Sequence, residues 1–222
     1  METLQFDFFL ASNSPRRREL LRLFGWVFVS RPAEVDESPL PDEPPQAYVL
    51  RLAECKARVV AEGAPEEALV LAADTTVVVD GTILGKPADS NQARAMLRQL
   101  RGRRHQVYTA IALVRRRDDL RLTDLGETDV PMREYTDDEI EAYVASGDPL
   151  DKAGAYAIQH AGFKPVERLD GCYANVMGLP LCHLARSLPR AGIPVSVDIP
   201  AACQGFLGYR CPVYSQILRG GG

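Results

Sequence analysis

Apolar and polar positions alternate along this chain in two distinct rhythms. A mostly apolar run from Phe6 to Ala11 leads into Ser12, Asn13, Ser14 and Pro15, after which Leu20, Leu21 and Phe24 follow a helical period that Gly25 ends. This predicts strand, tight loop and helix, with Ser14 as N-cap and Pro15 at the first helical position, where its missing N–H costs nothing. Trp26 to Ser30 reads as a short strand. Gln46 to Glu62 contains no Gly or Pro, and Ala47, Leu50, Ala53, Ala57 and Val60 recur at helical spacing, predicting a helix with Lys56 towards its far end. Leu69 to Asp80 is the most apolar run and is dense in β-branched residues, as a central strand requires. Asp80-Gly81 is a hairpin signal, and Thr82 to Leu84 returns.

Further on, Asp89 or Ser90 caps a helix running to Leu100. His105 to Val114 and Leu120 to Tyr135 read as paired strands joined by the charged turn Arg115 to Asp119. Thr136-Asp137-Asp138-Glu139 forms a capping box for a helix that ends at Gly147. The small-residue stretch Asp151 to Gln159 predicts a loop running into a strand, Phe163 to Asp170 another strand, and Met177-Gly178-Leu179-Pro180 the start of a helix through Leu188. The proline-rich acidic stretch Pro32 to Pro45 is a surface loop of a length that often carries function. From Ile193 the pattern dissolves, which predicts a lightly attached tail with Gly220 to Gly222 disordered. Helices interleaved with strands around a strand-rich middle indicate an α/β or α+β sheet with helices packed on it.

Composition narrows the function. A chain of 222 residues suits one large domain or two lobes sharing a core. A net charge of −4 argues against a general nucleic-acid coat, so a polyanion must be met by a local basic site. Met1 to Asp7 has no basic region followed by a long apolar core, and no apolar run approaches a membrane span, so a cytoplasmic protein without a membrane segment is expected. Five cysteines without a Cys-x-x-Cys pair point to reduced thiols rather than zinc, with Cys203 and Cys211 the one pairing to note. No Walker-type Gly-x-x-x-x-Gly-Lys-Ser/Thr occurs.

Charge placement supplies the candidate chemistry. Arg16, Arg17 and Arg18 crowd a first helical turn, where the dipole disfavours cations. An anion docked at that helix start, phosphate above all, removes the conflict; solvation of three surface arginines is the alternative. Asp74 lies inside the most apolar strand, where a carboxylate is costly unless it is paired, holds a metal or faces a cleft to activate water. Lys86, between Gly85 and Pro87, can meet an anion or solvent, and Lys56 and Lys152 share that choice. Glu37 is a metal ligand or a solvated carboxylate, and Gln159 either offers its amide to a nucleobase edge or is a satisfied strand residue. Together, clustered cations, isolated carboxylates and an amide are what metal-assisted hydrolysis of a nucleotide phosphate needs.

The stretch Leu10-Ala11-Ser12-Asn13-Ser14-Pro15-Arg16-Arg17-Arg18-Glu19-Leu20-Leu21 resembles the opening signature of the Maf family of nucleotide pyrophosphatases. The resemblance continues through Glu37, Arg51-Leu52-Ala53 with Lys56-Ala57, Ala73-Asp74-Thr75, Gly85-Lys86-Pro87, Lys152-Ala153-Gly154-Ala155-Tyr156 with Gln159, and Asn175-Val176-Met177-Gly178-Leu179-Pro180. It spans roughly Phe8 to Leu188, in order.

The resemblance implies a two-lobed Maf-like α/β fold, similar to that of inosine triphosphate pyrophosphatases, with a mixed sheet and a deep nucleotide cleft. Domain 1–192 would carry it, leaving 193–222 as a C-terminal extension of unknown role. It also implies a homodimer that cleaves a nucleoside triphosphate to the monophosphate and pyrophosphate with a divalent metal (Mg, Mn or Co). Carried over, Asp74 is the general base. Arg16, Arg17, Lys56 and Lys86 are phosphate ligands, Ser12 and Ser14 line the same loop, and Glu37 with Asp74 holds the metal. Arg16, Thr75 and Gln159 match the branch acting on dTTP and UTP rather than the branch acting on 7-methyl-GTP. The phosphate reading assigns Arg16 and Arg17 to the ligand and leaves Arg18 to solvent. Two other classes stand beside this reading: a non-catalytic nucleotide-binding regulator of septum formation, and an interaction protein working through its C-terminal tail.

Overall fold

Strand β3, Leu69–Val79, is the axis of the fold, as the apolar runs on either side of Asp74, Thr75 and Thr76 require. The structure, a computed structural model, describes residues 7–220. On one side of β3 runs β5 (Arg104–Arg115), antiparallel from Val70 to Val78, and β6 (Leu120–Pro131) pairs antiparallel with β5 beyond it. The other side is divided. The short β1 (Phe8–Leu10) pairs parallel with Leu69 to Leu71 and also with the edge strand β2 (Val29–Ser30). The hairpin strand β4 (Thr82–Leu84) pairs antiparallel with Val77 to Val79. Between these two partners, Ala72 to Thr76 present an edge of β3 that no strand among the described residues covers. A break of this kind, where strand partners diverge from a common edge, opens a crevice in an α/β sheet.

Helices close both faces. The helix α2 (Pro45–Glu62) buries Val49, Ala53, Ala57 and Val60 against Phe9, Val70, Ala72 and Val78. On the opposite face lie α1 (Pro15–Arg22), α3 (Ser90–Leu100) and α4 (Asp137–Ala145), over Phe8, Leu10, Leu71, Val79 and Leu113. The capping expectations are met: Ser14 accepts from the Arg17 N–H, Asp89 from Gln92, and Thr136 and Glu139 form the capping box. Asp80 and Gly81, at φ 50° and 75°, make the hairpin turn as the Asp-Gly pair predicts.

Several expectations give way. The strand expected over Trp26 to Ser30 is confined to Val29–Ser30, and β6 ends at Pro131, well before Tyr135, whose hydroxyl instead donates to the Leu97 carbonyl. No strand forms in Asp151 to Gln159 or in Phe163 to Asp170. Left-handed residues at Gly154, Ala155 and Lys164 (φ 68°, 59° and 44°) turn the chain there, and the backbone runs in 3₁₀ turns and bends. The helix expected from Met177 to Leu188 is two helices, α5 (Tyr173–Met177) and α6 (Leu181–Ser187), parted by Gly178 at φ 104°.

The C-terminal segment is not a loose tail. Ile193 is buried, and α7 (Ile199–Leu207) and α8 (Tyr214–Leu218) pack on α6 through Ile199, Cys203 and Ile217. Gly220, expected to be disordered, donates its N–H to the Ile217 carbonyl. The disorder expected of Gly221 and Gly222, the strand start at Phe6 and the leader reading of Met1 to Phe6 lie outside the described residues.

Candidate active site

The uncovered edge of β3 opens into a cleft of about 410 Å³. Every residue singled out from the sequence as a site candidate lines it: Ser12, Ser14, Arg16 and Arg17 from the β1–α1 turn, Glu37 from the acidic loop, Lys56 from α2, Asp74 and Thr75 from β3, and Lys86 and Gln159 from later loops.

Successive residues of β3 point to opposite faces, so Asp74 turns towards α2 and Thr75 towards α1 and α5. Asp74 is 7% exposed, and its Oδ1 accepts from Lys56 Nζ at 2.6 Å. The same ammonium lies 2.7 Å from Glu37 Oε1, so one cation joins both carboxylates. Burial pushes the Glu37 carboxyl up, but the hydrogen bond and charge of Lys56, with Lys86 and Arg17 behind it, hold it below the usual carboxylate range. The loop carrying Glu37 is fastened to α2: Tyr48 donates its hydroxyl to the Glu37 carbonyl at 2.9 Å, and Arg51 bonds Glu43 and the Ser38 carbonyl. Tyr48 also lines the cleft. The sequence reading missed it, although Tyr48 and Lys56, eight residues apart on one helix, fall on the same face.

Around Thr75 the arrangement is a brace. Arg17 Nε donates to the Gly178 carbonyl at 2.8 Å, Nη2 to Thr75 Oγ1 at 3.1 Å and Nη1 to Ser12 Oγ at 3.4 Å. Thr75 Oγ1 is 3.0 Å from Thr109 Oγ1, and Thr109 donates in turn to the Asn175 carbonyl at 2.8 Å. Gly178 is required here: a Cβ would sit 3.1 Å from Thr75 Oγ1, at a φ that disfavours side chains. Burial lowers the Arg17 pKa, against the pull of Asp74 and the added push of Arg16. Arg17 thus locks the turn in place besides lining the cleft. Thr109 and Asn175, the supports behind it, went unnoticed as site residues in the sequence.

The remaining cations divide. Arg16 makes only a loose pair with Asp151, at 3.7 Å. Lys86 makes no hydrogen bond or ion pair among the described residues, and its ammonium is available to an anion in the cleft. Lys152, an open candidate from sequence, is consumed by Asp148 and Asp151, at 2.9 and 2.6 Å. Arg18 is bound to the Asn13 carbonyl on the exposed side of its helix and does not line the cleft. Gln159 is exposed, sits in a turn rather than a strand, and borders the cleft beside Ile158.

Among the described residues no three His, Cys, Asp or Glu side chains are grouped to cage a metal. Asp74 and Glu37, converging on one ammonium, present two hard carboxylates at one point. That donor set fits a small divalent cation that takes its other ligands from phosphate oxygens and water.

Residues 7–191 match the family model described as Maf-like protein. A dTTP/UTP pyrophosphatase of Anaeromyxobacter dehalogenans is 51% identical over 193 residues, covering 86% of this chain and 97% of that protein. One from Thermomicrobium roseum is 49% identical over 210 residues, covering 92% of each. Among solved structures, a HAM1 protein from Coxiella burnetii aligns over 97% of this chain and 98% of its own, at TM-score 0.47 and 14% identity.

Proposed function

The chain belongs to the Maf family, and from that premise we propose that it hydrolyses dTTP and UTP to the monophosphate and pyrophosphate. The observation that carries this reading is the position of Asp74: a buried carboxylate where no described strand covers the edge of the central strand, facing a cleft ringed with cations. Such a group is placed to orient and deprotonate a water attacking the phosphate chain. Arg16 and Lys86, the cations least committed to protein partners, offset the polyphosphate charge, with Lys56 and Arg17 adding field from behind. Ser12 and Ser14 keep the β1–α1 turn open to the phosphates, Thr75 fixes Arg17 above them, and Gln159 offers its amide to a pyrimidine edge. Glu37 and Asp74 would hold a divalent cation, Mg, Mn or Co, which when bound supplies positive charge against the polyphosphate.

The same reading makes the protein a cytoplasmic homodimer. All five cysteines are free, which suits a reducing compartment. No helix among the described residues is long and apolar enough to cross a membrane. Sedimentation of the full chain tests the dimer.

A panel of dTTP, UTP, 7-methyl-GTP and the common triphosphates, assayed for pyrophosphate with Mg²⁺ or Mn²⁺, tests the activity. Fastest release from dTTP and UTP is expected. Preference for 7-methyl-GTP would move the chain to the sister activity, and nucleotide binding without pyrophosphate release would make it a regulator. Asp74→Asn should cut turnover by about 10²–10⁴-fold, the usual worth of a general base, and an unchanged rate would remove Asp74 from that role.

A further inference from the structure

Four of the five cysteines gather far along the chain from the catalytic candidates. Cys172, Cys182, Cys203 and Cys211 line one small apolar pocket between α5, α6, α7 and the link from α7 to α8. They are not grouped to hold a metal. Within this set one pair stands out. The thiols of Cys172 and Cys211 lie together in the pocket and shift each other's titration, and Cys211 Sγ lies 3.9 Å from the carbonyl of Gly171, the neighbour of Cys172. Cys172 is buried at the start of α5, whereas Cys211 is half-buried in the irregular link to α8.

We propose that Cys172 and Cys211 form a reversible modification site, in which a hydroperoxide joins them as a disulfide that pins the C-terminal segment to α5. The two thiols lose their hydrogens, the peroxide O–O bond breaks, and the products are one disulfide, one alcohol (water, for hydrogen peroxide) and one further water. Cys211 is the attacking sulfur: it is the more accessible of the two, and the Cys172 thiol and the Val213 and Tyr214 backbone lower its pKa. These neighbours favour its thiolate against the opposing cost of burial and hold its pKa below that of an ordinary thiol. Its titratable neighbours offer no competing thiolate, since burial raises Cys182 to about 12 and Cys203 to about 11, and burial likewise raises the Tyr209 phenol. Cys172, raised by its neighbour Cys211 and by burial, is the resolving thiol that expels the oxygen from a Cys211 sulfenic acid. The sulfurs must still close to a bond of about 2 Å. The link at Cys211, outside any helix or strand, can give more readily than the packed start of α5. This pairing replaces the Cys203–Cys211 one that their closeness in sequence suggests.

The full-length protein, reduced and then treated with equimolar hydrogen peroxide at neutral pH, is digested without reductant and its peptides mapped by mass. A cross-linked Cys172–Cys211 peptide that dithiothreitol cleaves is expected, with Cys182 and Cys203 left open to alkylation. A Cys203–Cys211 cross-link, or oxidation without any cross-link, overturns the proposal. A second reading follows the pH dependence of Cys211 alkylation in the reduced protein. The midpoint should lie below that of an ordinary thiol in the parent and rise in Cys172→Ala, which loses the neighbouring thiol. A midpoint that stays put shows that Cys172 is not its partner and also overturns the proposal.

Discussion

Lys56 Nζ lies 2.6 Å from Asp74 Oδ1 and 2.7 Å from Glu37 Oε1, so the residue proposed as base and the carboxylate of the acidic loop share one counter-charge. The ammonium comes from α2, whose apolar face is packed against the same sheet face that Asp74 occupies. The fold therefore sets the distance between cation and base without help from substrate. A buried carboxylate in β3 is tolerable only because α2 delivers its partner there.

Lys56→Met removes that partner while filling its volume. Asp74 is then buried without a counter-ion, and the expected loss is about 3 kcal/mol, the scale on which a broken buried pair destabilises. Urea unfolding at neutral pH measures it. A loss near zero would mean that water reaches Asp74 freely. The variant should also weaken dTTP turnover, because Glu37 is released from the cleft wall.

Thr109→Val tests the brace from behind. Thr109 does not touch the cleft, yet its hydroxyl joins Thr75 to the Asn175 carbonyl, and Thr75 holds Arg17. The Asn175 carbonyl keeps the Gly178 N–H, but the Thr75 hydroxyl loses its partner in Thr109, at about 1–2 kcal/mol. With Arg17 less firmly placed, KM for dTTP should rise more than kcat falls. A variant with lower stability and parental KM would confine Thr109 to a packing role.

Much of this was readable in the sequence, and the parts that were not share a cause. Ser14, Asp89 and the Thr136–Glu139 box announce their helices through local chemistry, and β3 through an apolar run too long to be anything but central. The site was legible as a set of electrostatic misfits, cations in a first helical turn and an aspartate in an apolar strand. Thr109 and Asn175 carry no such misfit: each is an ordinary polar residue until the fold places it behind Arg17. The stretch from Asp151 to Asp170 turns on left-handed Gly154, Ala155 and Lys164, and two of these three are residues that do not advertise a turn. The C-terminal helices bury too few, too widely spaced apolar residues to be recognised without α6 beneath them.

Two buried histidines make stability fall in mild acid. Burial lowers the pKa of His105 and of His183 to about 4 each, despite the opposing pull of Asp129 and Asp124. Above the unfolded value of about 6.5 both states are neutral and the contribution is complete. As pH falls from there towards 4, the unfolded chain takes up protons that the folded one refuses, so stability drops by up to about 3 kcal/mol per histidine. Urea midpoints at about pH 7 and about pH 5 should differ accordingly, and a His105→Gln, His183→Gln double variant should flatten the difference. An equal slope in that variant would shift the cause to carboxylates.

Ending the chain after Gly192 separates the docked C-terminal segment from the catalytic cleft. The truncation uncovers α6 where Ile199, Cys203 and Ile217 pack, and it removes the bond from Arg186 Nη1 to the Ile217 carbonyl at 2.8 Å. Arg186 keeps its bidentate pair with Asp124, so no buried charge is orphaned and the cost is chiefly apolar exposure. At about 1.5–3 kcal/mol for each large apolar side chain, the two isoleucines alone imply a loss of about 3–6 kcal/mol. The melting temperature should fall well below the parent's. Every proposed catalytic and binding residue precedes Gly178, however, so pyrophosphate release measured below the new melting point should stay near the parental rate. A truncated protein that melts like the parent would show that α7 and α8 contribute nothing to the core they cover. One that melts lower but also loses activity while folded would show that the segment reaches the cleft through α5, the helix whose far end holds Arg17.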